Sequence, residues 1–317
     1  MSTWDSPRGS APPWKSPRTP APRVPPTSPS TYGVATPCTP QKPFWLQRCE
    51  EACDRCSFPT SFVLWQSSKG QDRLVVDCRD HDALWAVFDG HRFSDVAGHA
   101  SQIFPGLLWS SPLWPAWPGE ALSSSLRECH ESARREGLQG GSTAVVVAAT
   151  GGLLWCSSAG DSRAVVGLRC GGVRRLSVDH TMQVPEEVAR VRTAGGSVEW
   201  GRLGGCLPMT RGLGNFSLES EGFACLPDVG AVPLREADFL IVASDGLWDV
   251  IEDEKCCAVV REWGRTAASS GKTAEYLARH ARALGSCDDI AIVVAYFPFD
   301  TDFLQPDGLI AGATAGA

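Results

Sequence analysis

The sequence predicts an α+β fold in which antiparallel sheets are covered by helices. Two observations carry that prediction: β-rich runs follow one another as meanders, and the helical segments come in blocks instead of alternating with strands. A third observation locates the working end. Trp85-Ala86-Val87-Phe88 ends in Asp89-Gly90-His91, Phe239-Leu240-Ile241-Val242-Ala243-Ser244 ends in Asp245-Gly246, and Asp288-Asp289 opens Ile290-Ala291-Ile292-Val293-Val294. An apolar run that stops at a carboxylate sets it on the rim of a buried sheet, held by rigid backbone.

Residues 1–43 are dominated by Pro, Ser, Thr and Ala and cannot bury enough apolar surface to offset the entropy of ordering, so disorder is expected there. Ser6, Ser16, Thr19, Ser28, Thr36 and Thr39 each precede a proline, the pattern on which a proline-directed kinase acts. Residues 44–299 are read as the folded domain and residues 300–317 as a flexible tail. Within the domain, residues 61–66 and 73–78 read as strands paired around the turn Ser67-Ser68-Lys69-Gly70, and residues 84–88 as a third strand. The Pro-broken stretch 105–118 reads as a core-lining loop, followed by a helix over 121–136 with Leu122, Leu126, Cys129 and Ala133 on one face. Residues 143–149, 153–158 and 164–168 form a meander broken at Gly151-Gly152 and Gly160. Pro185 starts a short helix that Gly195-Gly196 stops. Residues 253–268 and 273–284 are two more helices, and the chain returns to strand over 290–297.

At 317 residues with 43% hydrophobic and 21% charged content, the chain has ample material for a core. A net charge of -7 argues against general binding of nucleic acid or anionic membrane. No apolar run reaches the roughly 20 residues that span a bilayer. Thirteen cysteines, an odd number scattered along the chain, suit a reducing compartment. A cytoplasmic or nuclear monomer without a secretory leader is therefore expected. Cys49, Cys53 and Cys56, even with Cys38, fall short of two paired zinc-binding sets and read as ordinary thiols.

The rim aspartates carry the chemistry. Asp89, Asp245 and Asp288, with Asp72 in Lys69-Gly70-Gln71-Asp72-Arg73, make an all-oxygen cluster suited to Mg²⁺ or Mn²⁺. Two such ions roughly 3.5–4 Å apart acidify a water and brace it for in-line attack on a phosphate monoester, among the slowest of spontaneous hydrolyses. Gly90, lacking a Cβ, can bring its carbonyl to an ion. His91, beside Asp89, is placed to protonate the leaving alkoxide.

Further blocks follow in order: Gly141-Ser142-Thr143-Ala144, Ala159-Gly160-Asp161-Ser162-Arg163-Ala164, Asp179-His180, Thr210-Arg211-Gly212-Leu213-Gly214 and Ala243-Ser244-Asp245-Gly246-Leu247-Trp248-Asp249. With Gly70-Gln71-Asp72, Val87-Phe88-Asp89-Gly90-His91 and Cys287-Asp288-Asp289-Ile290, the chain resembles the PPM family over residues 60–297. These are the metal-dependent protein serine/threonine phosphatases of type 2C. The resemblance implies two antiparallel sheets packed face to face, flanked by helices as an αββα sandwich, with the metals at one end. It implies that Asp89 bridges two ions, that Gly90 binds one of them through its carbonyl, and that Asp72, Asp245 and Asp288 hold the second. Asp161 would hold a third, weaker ion together with Asp245, and His91 would be the general acid. The implied substrates are phosphoserine and phosphothreonine in proteins, with residues 179–214 as a flap beside the cleft that contributes to substrate choice.

The chain departs from that pattern in places that matter. The Arg with which many members grip the phosphate has no counterpart before Asp72; Lys69 is the only cation there, and an ammonium does not reproduce bidentate guanidinium recognition. Arg92-Phe93 replaces the usual glycine pair after the histidine. Asp289 stands where Asn is usual, a second carboxylate expected to tighten metal binding or raise a neighbour's pKa. Asn215 stands where Asp is usual and is expected to lie away from the metals. Lys69 and the altered segment after His91 keep open the alternative of a pseudophosphatase that retains the fold as a scaffold.

Overall fold

Ala83, Trp85 and Val87 enter one apolar cluster while Leu84, Ala86 and Phe88 enter another, and all of them are buried. A strand whose alternate side chains are both buried must lie between two covering layers. The computed structural model describes residues 49–50, 54, 56–93, 95–264 and 271–297, all within one compact unit, Lys42–Ala317. The expectations for residues 1–43 and 300–317, and for Cys38 and Cys53, lie outside the described residues.

In chain order the strands begin with β1 (Thr60–Trp65), β2 (Arg73–Arg79), β3 (Asp82–Phe88), β4 (Gly90–His91), β5 (Gly141–Ser142), β6 (Ala144–Thr150), β7 (Leu153–Ala159), β8 (Arg163–Leu168) and β9 (Val173–Arg175). They continue with β10 (Val198–Glu199), β11 (Arg202–Leu203), β12 (Leu213–Gly214), β13 (Asp228–Pro233), β14 (Ala237–Ala243) and β15 (Ile290–Tyr296). The helices are α1 (Asp95–Trp109), α2 (Pro118–Arg135), α3 (Pro185–Thr193), α4 (Asp245–Trp248), α5 (Asp253–Trp263) and α6 (Thr273–Ala283).

Two five-stranded antiparallel sheets, β1-β15-β14-β8-β9 and β13-β7-β6-β3-β2, form the centre. Trp85, Val87 and Leu74 of one sheet meet Val166, Leu240 and Val293 of the other in a shared core. On the outer faces, Phe88 and Val146 pack under Phe104 of α1 and Leu122 of α2, while Ile241 and Ile292 pack under Val260 of α5 and Leu277 of α6. The fold is therefore α+β, two face-to-face sheets flanked by helices. The flap keeps a small core of its own, in which Val191 of α3 packs with Leu203, Met209 and Phe223. Among the described residues no helix is long and apolar enough to cross a membrane.

Three sequence-based readings are corrected. The strands around Ser67-Ser68-Lys69-Gly70 do not pair: β1 lies against β15 and β2 against β3, in different sheets. The connection crosses between sheets because its N–H groups are claimed by a carboxylate far along the chain, that of Asp289. The stretch 105–118 is not a loop throughout, since α1 runs through Pro105 to Trp109. Burial of Val96, Ala100, Phe104 and Leu108 along one face offsets the one helical hydrogen bond that Pro105 forgoes. The third run, residues 164–168, does not continue the meander: past Gly160 the chain leaves β7 for β8 in the opposite sheet.

Candidate metal and active site

Strand register brings the rim aspartates together. Arg73 faces Phe88 in the β2–β3 ladder, so Asp72 and Asp89 leave the same end of their sheet. In the other sheet Ala243 pairs with both Arg163 and Ile292, which sets Asp161, Asp245 and Asp288 at the matching end. Asp89, Asp161, Asp245 and Asp288 line one cavity of about 670 Å³ together with Gly90, His91 and Lys69. Asp72 is only 1% exposed, with its carboxyl in contact with that of Asp89. Gly90 has a further reason to lack a Cβ: one there would come within 2.6 Å of the Gln71 carbonyl oxygen.

The cluster is short of positive charge. Burial, followed by repulsion from Asp245, pushes the Asp161 carboxyl up to about 7. Burial first, then neighbouring carboxylates, also raises Asp72, Asp89 and Asp245. Asp72 Oδ2 and Asp161 Oδ1 are buried and find no hydrogen-bond partner among the described residues. Among those residues no three side chains close into a ready-made ligand cage by themselves. The carboxylates instead ring an open cavity, an arrangement that suits small hard cations retaining part of their water shell. The donor set fits Mg²⁺ or Mn²⁺.

Several supporting residues were not singled out from the sequence. Thr143 Oγ1 accepts the Asp89 N–H at 3.2 Å and lies 2.6 Å from Ser162 Oγ. Ser244 Oγ accepts the Ala291 N–H at 3.0 Å and hydrogen-bonds Asp72. Their signal was present in the motif blocks that contain them, but not their roles. The Asn215 side-chain amide nitrogen lies 2.7 Å from His91 Nε2, a contact with the histidine that the sequence did not signal. With the amide donating, Nε2 accepts and the ring proton sits on Nδ1, which is buried without a partner among the described residues. Gly141 makes this possible, because a Cβ there would collide with both groups. Burial foremost, with the Arg92 charge in the same direction, holds the imidazole down to about 4. His180, given no chemistry from the sequence, is a tether: its Nδ1 accepts the Gly160 N–H and its Nε2 lies 3.0 Å from Asp228.

Lys69, read as the phosphate-directed cation, places its ammonium 2.8 and 2.6 Å from the two Asp288 oxygens. Asp289 does not add its carboxylate to the metal cluster, and its own pKa is lowered. Burial alone would raise it, but the Ser67 hydroxyl and the N–H groups of Gln71, at 2.6 Å, and Ser67, at 2.5 Å, outweigh that cost, with longer contacts from Gly70 and Asp72. Asp289 is thus the clamp that folds residues 67–72 onto the start of β15. Asp289→Ala is expected to lower unfolding free energy by about 2–4 kcal/mol, the scale of stranding several buried donors of a charged acceptor. Urea denaturation measures it, and a loss of only a few tenths would show that the loop is held by other contacts.

The family description for protein phosphatase 2C matches residues 49–290. The chain belongs to the protein phosphatase 2C family. A rice protein (Oryza sativa subsp. japonica) described as probable protein phosphatase 2C 44 is 34% identical over 227 residues, 68% of this chain and 68% of its own length. A second rice protein, probable protein phosphatase 2C 7, is 35% identical over 223 residues, 68% of this chain and 57% of its own. Protein phosphatase 2C homolog 3 of Schizosaccharomyces pombe is 31% identical over 220 residues, 64% of this chain and 53% of its own. The chain thus spans about half to two thirds of the length of these curated relatives. Among solved structures, a serine-threonine phosphatase 2C from Toxoplasma gondii superposes with a TM-score of 0.67 at 21% identity, covering 76% of this chain and 95% of that one. A C. elegans sex determining protein also gives 0.67, at 23% identity over 82% of this chain and 71% of that one. At such identities the superpositions speak for the shared fold.

Proposed function

We propose that this chain is a Mg²⁺- or Mn²⁺-dependent protein serine/threonine phosphatase, hydrolysing phosphoserine and phosphothreonine in proteins. The observation that carries the reading is a cavity ringed by strand-end carboxylates from both sheets, with two buried carboxylate oxygens, on Asp72 and Asp161, that no donor among the described residues satisfies. A buried anionic cluster requires counter-charge, and an all-oxygen set selects hard divalent ions. Asp89 would bridge a pair of ions with the Gly90 carbonyl on one, Asp72, Asp245 and Asp288 on the second, and Asp161 with Asp245 on a third, weaker one. When bound, such ions supply positive charge that acidifies a water and stabilises the phosphoryl oxygens.

The chain's own residues hold and deliver. Carboxylates seated on strand ends keep their spacing because the ladders behind them are rigid. Once Nε2 takes up a proton and the Asn215 amide turns its oxygen to it, the imidazolium gives its Nδ1 proton to the departing serine or threonine alkoxide and returns to neutral imidazole. Burial weakens the imidazole as a base, and a phosphate dianion entering beside it opposes that effect and favours proton uptake. In the test, chelated protein should not dephosphorylate a phosphothreonine peptide, and added Mn²⁺ or Mg²⁺ should restore turnover. Folded, metal-loaded protein that turns over neither the peptide nor p-nitrophenyl phosphate would overturn the reading and leave a scaffold. Turnover of the small ester alone would move the substrate class away from proteins.

A further inference from the structure

The cations on the cavity wall are Lys69, Arg92, Arg163 and Arg202. Three of them are committed within the protein. Lys69 is held by Asp288, Arg163 bridges Asp179 and Asp253, and Arg202 Nη1 donates to the Cys206 carbonyl at 3.0 Å. Arg92 makes no hydrogen bond or ion pair with any described residue. It is exposed and directly follows Asp89-Gly90-His91.

The backbone at Arg92 is unusual as well. Its φ is +67°, the left-handed region that glycine enters freely and that a long side chain enters at a cost in free energy. The conformation is imposed from both sides. His91 is paired with Gly141 in the β4–β5 ladder, and Gly140 lies so close that a Cβ on it would reach 2.7 Å from the His91 carbonyl oxygen and 3.0 Å from the Phe93 nitrogen. An arginine kept in a glycine conformation, with its guanidinium unspent at the mouth of an acidic cavity, is a candidate for a ligand contact. A guanidinium repels divalent cations, so its partner is the anion that enters after them. Its planar fork matches the oxygens of a phosphoryl group.

We propose that Arg92 is a substrate-binding residue whose guanidinium takes the phosphoryl oxygens of the incoming phosphomonoester, the task for which Lys69 is already occupied. The assignment rests on the phosphatase reading above. Its test compares wild type, Arg92→Gly and Arg92→Lys, all loaded with Mn²⁺, by KM and kcat on p-nitrophenyl phosphate and a phosphothreonine peptide. Inhibition by inorganic phosphate and the thermal midpoint with and without phosphate complete the set. Arg92→Gly should raise KM on both substrates and the inhibition constant for phosphate by about tenfold or more, the scale of one charge-assisted contact. kcat should change less. The thermal midpoint of Arg92→Gly should not fall, because glycine relieves the φ strain; a merely structural arginine would give the opposite. Arg92→Lys should recover only part of the phosphate affinity. Values within about twofold of wild type in both variants would overturn the assignment. So would a KM change limited to peptides with acidic residues beside the phosphate, which would make the partner a carboxylate. If wild type turns over nothing, the phosphatase reading fails separately, and the phosphate-dependent thermal shift alone decides on Arg92.

Discussion

Asp245→Ala is expected to reduce metal-dependent turnover of a phosphothreonine peptide by roughly 10³-fold or more while making the metal-free protein more stable. The two effects share one cause. Asp245 is half-buried; burial first, then the Asp249 and Asp288 charges, raise the cost of ionising it, and its own charge raises that of Asp89. Removing one carboxylate lowers that repulsion and removes a ligand at once, the usual opposition between stability and function at a charged site. The sign of the pH dependence follows. Carboxyls whose folded pKa is raised favour the fold in their protonated form. Their contribution is complete below the unfolded value of about 3.9 and is lost as pH rises through the folded values. For Asp161 that value is about 7. Chelated wild type should therefore lose stability between about pH 4 and pH 7, and Asp245→Ala should lose less. Denaturation of chelated protein across that range measures the first effect. Mn²⁺ titration of the thermal midpoint measures the second, because an ion that binds only the folded chain raises it. A variant that kept wild-type turnover and the full Mn²⁺ shift would remove Asp245 from the ligand set.

His91→Ala should slow phosphopeptide hydrolysis by about 10²–10⁴-fold, the contribution of a positioned general acid. It should slow an activated aryl phosphate far less. A serine or threonine alkoxide is a poor leaving group and needs a proton as the P–O bond breaks, whereas a nitrophenolate leaves without one. Asn215→Ala should shift the same ratio in the same direction by a smaller factor, because it frees the ring held at Nε2 without removing it. Equal slowing of both substrates by His91→Ala would take the histidine out of the acid role.

The layered fold was legible because both faces of the central strands are covered, which writes them as unbroken apolar runs such as Trp85-Ala86-Val87-Phe88. The convergence of Asp72, Asp89, Asp161, Asp245 and Asp288 was legible for a related reason: each sits where such a run starts or stops. What lay at the next distance out was not. Asp289 reads as one more acid beside Asp288, yet its neighbours are N–H groups more than 200 residues earlier in the chain. The helix through Pro105 was hidden by the one residue that argues most strongly against it locally, and only the apolar face buried against the sheet overrides that preference.

The order of apolar runs and rim aspartates determined by itself that this chain builds a sandwich with an acidic end. Whether a given polar side chain joins that end was decided only in three dimensions. Asp288 and Asp289 are adjacent, but one lines the cavity and the other accepts N–H groups of the loop before β2. Asn215 and His91 are distant, but the β4–β5 and β5–β12 pairings bring them within 2.7 Å. Burial and hydrogen bonding act on neighbours in space, and for polar groups those neighbours come from register and loop crossings that a local pattern does not encode.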